Sequence, residues 1–259
     1  MVGDAPPVRA KARRIKPRAL HWRLAANVTG ALLRLVPRRL RYLLALRVAR
    51  LGAPLLRKTR LYGSRLSLND GAAEESLRLV LRAMMRLGVP FDPRIEIEGL
   101  ALLPPGPAIF VSGHFMLNIL LSRWLYDRGE RVTIIHWRPP PGMTVIGTAV
   151  AIDALDTTRN VLLQVRSRLA AGGKVAADVD NPASDTGEAL ELPNGTVYVS
   201  DRLFRLAERL DVPVRFFWTR IVNGRVRITF VAPASADAIA MGREFREFYR
   251  KAAGELAEP

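Results

Sequence analysis

Residues 108–129 read AIFVSGHFMLNILLSRWLYDRG. The run from Ala108 to Val111 is apolar without alternation and is closed by Gly113, the pattern of a strand buried on both faces. Beyond it the spacing changes: Leu117, Leu120, Leu121, Trp124 and Leu125 recur at three and four residues, and Gly129 closes the run, which predicts a helix. In parallel sheets the ligand crevice lies outside the carboxyl ends of the strands. His114, at this strand-to-helix corner, therefore stands where an enzyme places a base, and equally where a fold packs a satisfied imidazole.

The same alternation extends outward in both directions. EESLRLVLRAMMRLG (74–88) has helical spacing, and IEIEG (95–99) and VTIIH (132–136) read as strands. A proline-rich loop, RPPPG, follows. A helix is expected from about Thr158 to Ala171, stopped by Gly172-Gly173, then the strand KVAADV (174–179) and a polar loop. A further helix starts at Ser200 with Leu203, Leu206, Ala207 and Leu210 on one face. VPVRFFWTRI and VRITFV are joined through Val222-Asn223-Gly224-Arg225, and Asn-Gly is a strong hairpin signal. The expected fold is α/β: a mostly parallel sheet flanked by helices, with a late antiparallel hairpin. Three strand ends carry polar groups, Ser112-Gly113-His114, His136-Trp137-Arg138 and Asp178-Val179-Asp180.

At 259 residues and 49% hydrophobic content the chain can bury a substantial core. It has no cysteine, which excludes disulfides and thiolate metal sites. The net charge of +16 resides in one quarter of the chain: residues 1–65 hold 17 Lys/Arg and one acid, Asp4, whereas residues 66–259 hold 23 of each sign. The charge boundary divides a basic segment, whose first ~20 residues read as disordered, from an electrically balanced domain. In NVTGALLRLVPRRLRYLLALRVARLGAPLL apolar residues alternate with arginine, and Arg34, Arg38 and Arg41 fall on one stripe. Two interfacial helices are expected, the second starting near Pro37, lying on an anionic membrane. The competing reading is a basic amphipathic helix that covers the domain and leaves its arginines solvated. Nucleic acid is disfavoured as a partner because the segment offers only Tyr42 for stacking. No apolar run approaches the ~20 residues of a membrane span.

Three pieces in this order, IEIEGLALLPPGPAIFVSGHF, RNVLLQVRSRLAAGGKVAADVDNP and LPNGTVYVSDRLFRLAERLDVPVRFFWTRI, resemble the bacterial lipid A biosynthesis acyltransferases of the lysophospholipid acyltransferase superfamily. The resemblance spans roughly residues 30–250. In that family a pattern like H-F-G-N-W-E supplies a histidine base and an acid that orients it. Gly113, His114 and Phe115 match its start, but the acid's position holds Ile119. Asn118, four residues after His114, would share a helical face with it and orient the ring through its side-chain oxygen. The resemblance also implies that Arg159 binds substrate or phosphate and that Asp180, beside Asn181, organises the site. Arg138 is an independent candidate for a phosphate contact, and Asp178 joins the substrate-binding set. His21 and His136 read as structural.

No Gly-x-Ser-x-Gly elbow, Walker loop or Gly-x-Gly-x-x-Gly fingerprint occurs, and no metal set accompanies Asp178-x-Asp180. The resemblance implies a peripheral or monotopic enzyme at the cytoplasmic face of the bacterial inner membrane. It would need no cofactor beyond its co-substrate, an acyl-carrier-protein or acyl-CoA thioester, and its acceptor would be a lipid hydroxyl. The alternative is a catalytically degenerate member that binds lipid or a partner. An acyl chain further requires an apolar groove leading from His114.

Overall fold

The computed structural model describes residues 17–57, 72–115, 117–136, 139, 143–145, 148, 150–157, 160–180, 187–192, 195–223 and 225–257. Its centre is a seven-stranded sheet in the order β1-β9-β8-β2-β5-β3-β4. The strands are β1 (Ile95–Glu98), β2 (Ala108–Ser112), β3 (Val132–His136), β4 (Asp153–Asp156), β5 (Lys174–Asp178), β8 (Val214–Val222) and β9 (Arg225–Val231). β8, β2, β5, β3 and β4 run parallel, β8 turns back antiparallel into β9, and β1 pairs parallel with β9. The fold is therefore the α/β architecture expected, with the Asn-Gly hairpin between β8 and β9. Asn223 takes the left-handed conformation (φ 50) that such a tight turn demands.

β2 lies between β5 and β8, and all five of its residues are buried. Side-chain alternation divides them between two cores. Ile109 and Val111 face one layer with α5 (Val161–Ala170), α6 (Arg202–Leu210) and α7 (Ala238–Ala257). Ala108 and Phe110 face the other, with α2 (Arg38–Arg57), α3 (Ala72–Arg86) and α4 (Leu120–Asp127). A strand clothed on both faces has no polar position to spare, which is why the run reads apolar throughout.

Five elements depart from the sequence reading. The polar loop before α6 contains a separate antiparallel pair, β6 (Glu188–Leu192) and β7 (Gly195–Val199), whose Leu190, Leu192, Val197 and Val199 are buried against the α5–α7 layer. β4, an edge strand of four residues, and α7 had no counterpart in that reading. α5 begins at Val161, with Asn160 at its cap, later than the expected Thr158.

The basic quarter forms α1 (Pro17–Leu32) and α2; the expected disordered start falls mostly on residues 1–16, outside the described residues. α2 buries Tyr42, Ala45, Leu46 and Ala49 in the same core as α3 and the sheet. The arginine stripe is turned inward to protein. Arg41 donates to the carbonyls of Val36 (2.8 Å), Pro90 (2.9 Å) and Arg34 (3.1 Å), Arg38 pairs with Asp92 at 2.6 Å, and Arg34 donates to the Leu87 carbonyl. These bonds clamp the segment to the α3–β1 connection, whose free carbonyls need donors. The outer face is apolar as well as basic. Leu24, Val28, Leu32 and Leu35 lie at helical spacing and are exposed, Leu35 to 84%, and Leu40 and Leu51 stand beside the exposed Arg39 and Arg50. No helix among the described residues is long and apolar enough to cross a membrane.

Candidate active site

Because β3, β5 and β2 are parallel neighbours, their carboxyl ends at His136, Asp178 and Ser112 open on one edge of the sheet. Ser112 stands opposite Asp178, and Ile135, which precedes His136, stands opposite Ala177. The chain leaving β5 is fixed in turn: Val179 N–H donates to the Ser112 carbonyl at 2.9 Å, Ser200 N–H donates to the Val179 carbonyl at 3.0 Å, and Asp180 bridges Val199 of β7. This backbone lattice carries the Asp180 carboxylate to the histidine that follows β2.

His114 Nδ1–H donates to Asp180 Oδ1 at 2.6 Å, and the Tyr249 hydroxyl donates to Asp180 Oδ2 at 2.6 Å. Asp180 is only 2% exposed. A carboxyl group so buried needs a hydrogen-bond partner for each oxygen, and both have one. The His114 side chain is 40% exposed, so one end of the ring is locked on the buried acid while the other remains open. Bonding at Nδ1 leaves Nε2 as the reactive nitrogen.

Burial by itself would favour the neutral ring, but the charge of Asp180, its hydrogen bond and the charge of Asp178 outweigh it and raise the His114 pKa to about 9. Asp178 keeps open surface on its outer side. Shortage of water around the carboxyl lifts its pKa most, the His114 charge opposes, Asp180 adds to the rise and the Asn118 donor opposes, leaving it at about 6.

The expected Asn118–His114 contact is not made. Residues 117–119 form a turn and α4 starts only at Leu120, so Asn118 precedes the helix and does not share a helical face with His114. Asn118 Nδ2 instead donates to the Gly113 carbonyl (2.7 Å), Ser112 Oγ (2.9 Å) and Asp178 Oδ1 (3.0 Å). It ties the ends of β2 and β5 together and holds Asp178, and the Ser112 hydroxyl in turn donates a hydrogen bond to the Phe217 carbonyl on β8. Ile119 packs with the apolar layer of α2–α4.

Tyr249 was not anticipated. It lies on α7, fully buried, with its ring 5.2 Å from that of Phe115 and 5.8 Å from that of Phe245. The available signal was a tyrosine within an apolar stripe that includes Met241, Phe245 and Ala252, since a buried hydroxyl needs an acceptor. Its ring explains Gly113: a Cβ there would come within 1.6 Å of Tyr249 Cε2. Glycine thus lets α7 approach the strand end closely enough to grip Asp180.

Arg138 and Arg159, together with Asn181, fall outside the described residues. His136 ends β3 opposite Asp156, with its Nδ1 buried and without a partner among the described residues. Among the described residues no group of three or more His, Asp or Glu is disposed to hold a metal ion. Among the described residues, cavities of about 270 and 430 Å³ lie beside α6; neither borders His114, where the acyl groove was expected. Compared with models of known protein families and with curated proteins, the chain matches none.

Proposed function

We propose that the protein is a membrane-surface acyltransferase that moves a fatty acyl group from an acyl-carrier-protein or acyl-CoA thioester to a hydroxyl of a lipid A-like glycolipid or a phospholipid. The observation that carries this reading is the chain Tyr249–Asp180–His114 at the carboxyl edge of the sheet, in which a buried carboxylate holds a half-open imidazole. It supplies what the family pattern places at position 119, a carboxylate behind the histidine, from the chain that leaves β5. Neutral His114 takes the acceptor hydroxyl's proton at Nε2 as the acceptor oxygen bonds to the thioester carbonyl carbon. The C–S bond then breaks, and the imidazolium returns that proton to the departing sulfur. Asp180 stabilises the imidazolium between the two transfers. The chemistry uses no metal or further cofactor.

The test is transfer of a radiolabelled acyl group from each thioester donor to lipid acceptors in mixed micelles. Turnover by the wild-type protein and its loss in His114→Ala support the reading. Lipid binding without turnover by either would leave the degenerate, binding-only alternative.

The exposed stripe Leu24, Val28, Leu32 and Leu35 supports attachment to the cytoplasmic face of the bacterial inner membrane, because apolar side chains flanked by arginine suit an anionic interface. Replacing Leu32 and Leu35 by glutamate is expected to weaken sedimentation with anionic vesicles by about 100-fold, since each buried leucine is worth on the order of 1.5 kcal/mol. Thermal stability should change little, as both side chains are already in solvent. Salt should weaken but not abolish the wild-type attachment. Unchanged vesicle binding in the double variant would place the membrane face elsewhere or nowhere.

A further inference from the structure

The cavity of about 430 Å³ is a surface groove between α5 and α6. Its rim carries Arg166 from α5 and Arg202, Arg205 and Arg209 from α6, all four exposed. Its apolar lining includes Leu206, half-buried, and Leu163, which is 64% exposed. The α6 arginines recur at intervals of three and four residues, so the helical rise sets them in a row about 10 Å long.

This charge is largely unspent. Arg205 pairs with Asp201 one turn earlier at 2.7 Å, while Arg166, Arg202 and Arg209 make no ion pair among the described residues. Glu208, the acid within α6, is engaged with α7, accepting from the Ala238 N–H at 3.3 Å. Four arginines therefore meet one carboxylate along the groove.

Topology brings the groove to the site. α5 connects β4 to the parallel β5, and α6 leads from β7 to β8, parallel to β2, so both helices begin at the carboxyl edge that holds His114. Arg202 follows Ser200, whose N–H is bonded to Val179, the residue before Asp180.

We infer that this groove docks an acidic amphipathic helix of a partner protein, which, on the acyl-transfer reading above, is the carrier that delivers the acyl thioester. Guanidinium forks pair with carboxylates bidentately, and a leucine lining between two helices receives the apolar stripe of a third. A membrane is flat and would not follow a groove. A small polyphosphate such as the coenzyme A head group calls for converging cations, whereas these are strung along about two helical turns.

The probe is fluorescently labelled acyl carrier protein, titrated by anisotropy against His114→Ala protein so that binding is read without turnover. Combining Arg166→Glu, Arg202→Glu and Arg209→Glu should raise the Kd by about tenfold or more, and salt should weaken binding to the parent protein. In otherwise wild-type protein the same three changes should raise KM for the carrier-linked donor and leave kcat/KM for the acyl-CoA donor and vesicle binding unchanged. Equal affinity of parent and triple variant, or equal loss with both donors, would overturn the inference. So would loss of vesicle binding with carrier binding intact, which would assign the arginines to lipid. Carrier binding that depends on these arginines in a protein showing no transfer from any donor would retain the docking site and refute the acyltransferase reading, so the two failures are distinct.

Discussion

Asp180→Asn is expected to lower acyl transfer by about 10²–10⁴-fold at alkaline pH, comparable to His114→Ala, because positioned base catalysis contributes on that order. The amide is close to isosteric and can still accept from Tyr249 or from the ring. What it removes is the buried negative charge that stabilises the imidazolium. Asn118→Ala should cost less, since Asn118 touches Asp178, Ser112 and the Gly113 carbonyl but not the ring. Combining His114→Ala with Asp180→Asn should lose little more than either alone, because the two groups act as one unit. Steady-state kcat/KM for the four proteins, with circular dichroism as the control for folding, decides the matter. A full effect in Asn118→Ala with none in Asp180→Asn would reject the assignment of Asp180 as the partner.

The pH dependence should be nearly as large. With the His114 pKa raised to about 9, its cation dominates at neutral pH and the base is a minor form. kcat/KM should therefore climb about tenfold per pH unit well below the pKa, roughly 50-fold between pH 7 and 9, before levelling. In Asp180→Asn the charge that raises the ring is gone and burial pulls the other way. The ascending limb should move towards or below the ordinary histidine value, and the gap to wild type should narrow as pH falls. Titration of the His114 ring resonances by NMR reads the same pKa without turnover. A limb near 6.5 in both proteins would mean that Asp180 does not hold the ring as described.

Stability should run against activity. The folded-state pKa of His114 lies above its unfolded value near 6.5, so its stabilisation is complete below about pH 6.5 and is lost as pH rises through about 9. Asp178 is also raised, from 3.8 to about 6, so its contribution is complete below 3.8 and is lost as pH rises through about 6. Both groups bind protons more tightly in the folded protein. The alkaline conditions that free the base are thus those in which the site gives least to the fold.

Much of this architecture is local information. The unbroken apolar run of β2, the period change after Gly113, the glycine stops and the Asn-Gly turn each follow from short-range sterics and side-chain periodicity. Together they determined a mostly parallel sheet with His114, Asp178 and Asp180 at its carboxyl edge. The concentration of arginine and leucine before residue 65 was equally plain. Pairings between residues distant in sequence were not. Which acid reaches His114 depends on β5 lying beside β2 and on the bridge that holds Asp180 to Val199. Tyr249 completes the site from a helix 135 residues after His114, where only the bare space at Gly113 admits its ring. The same holds for Arg34, Arg38 and Arg41, whose pattern suited a membrane but whose donors go to the α3–β1 connection. Periodicity tells which face a side chain occupies. Only the order and register of the strands, and the packing of helices against them, decide what that face meets.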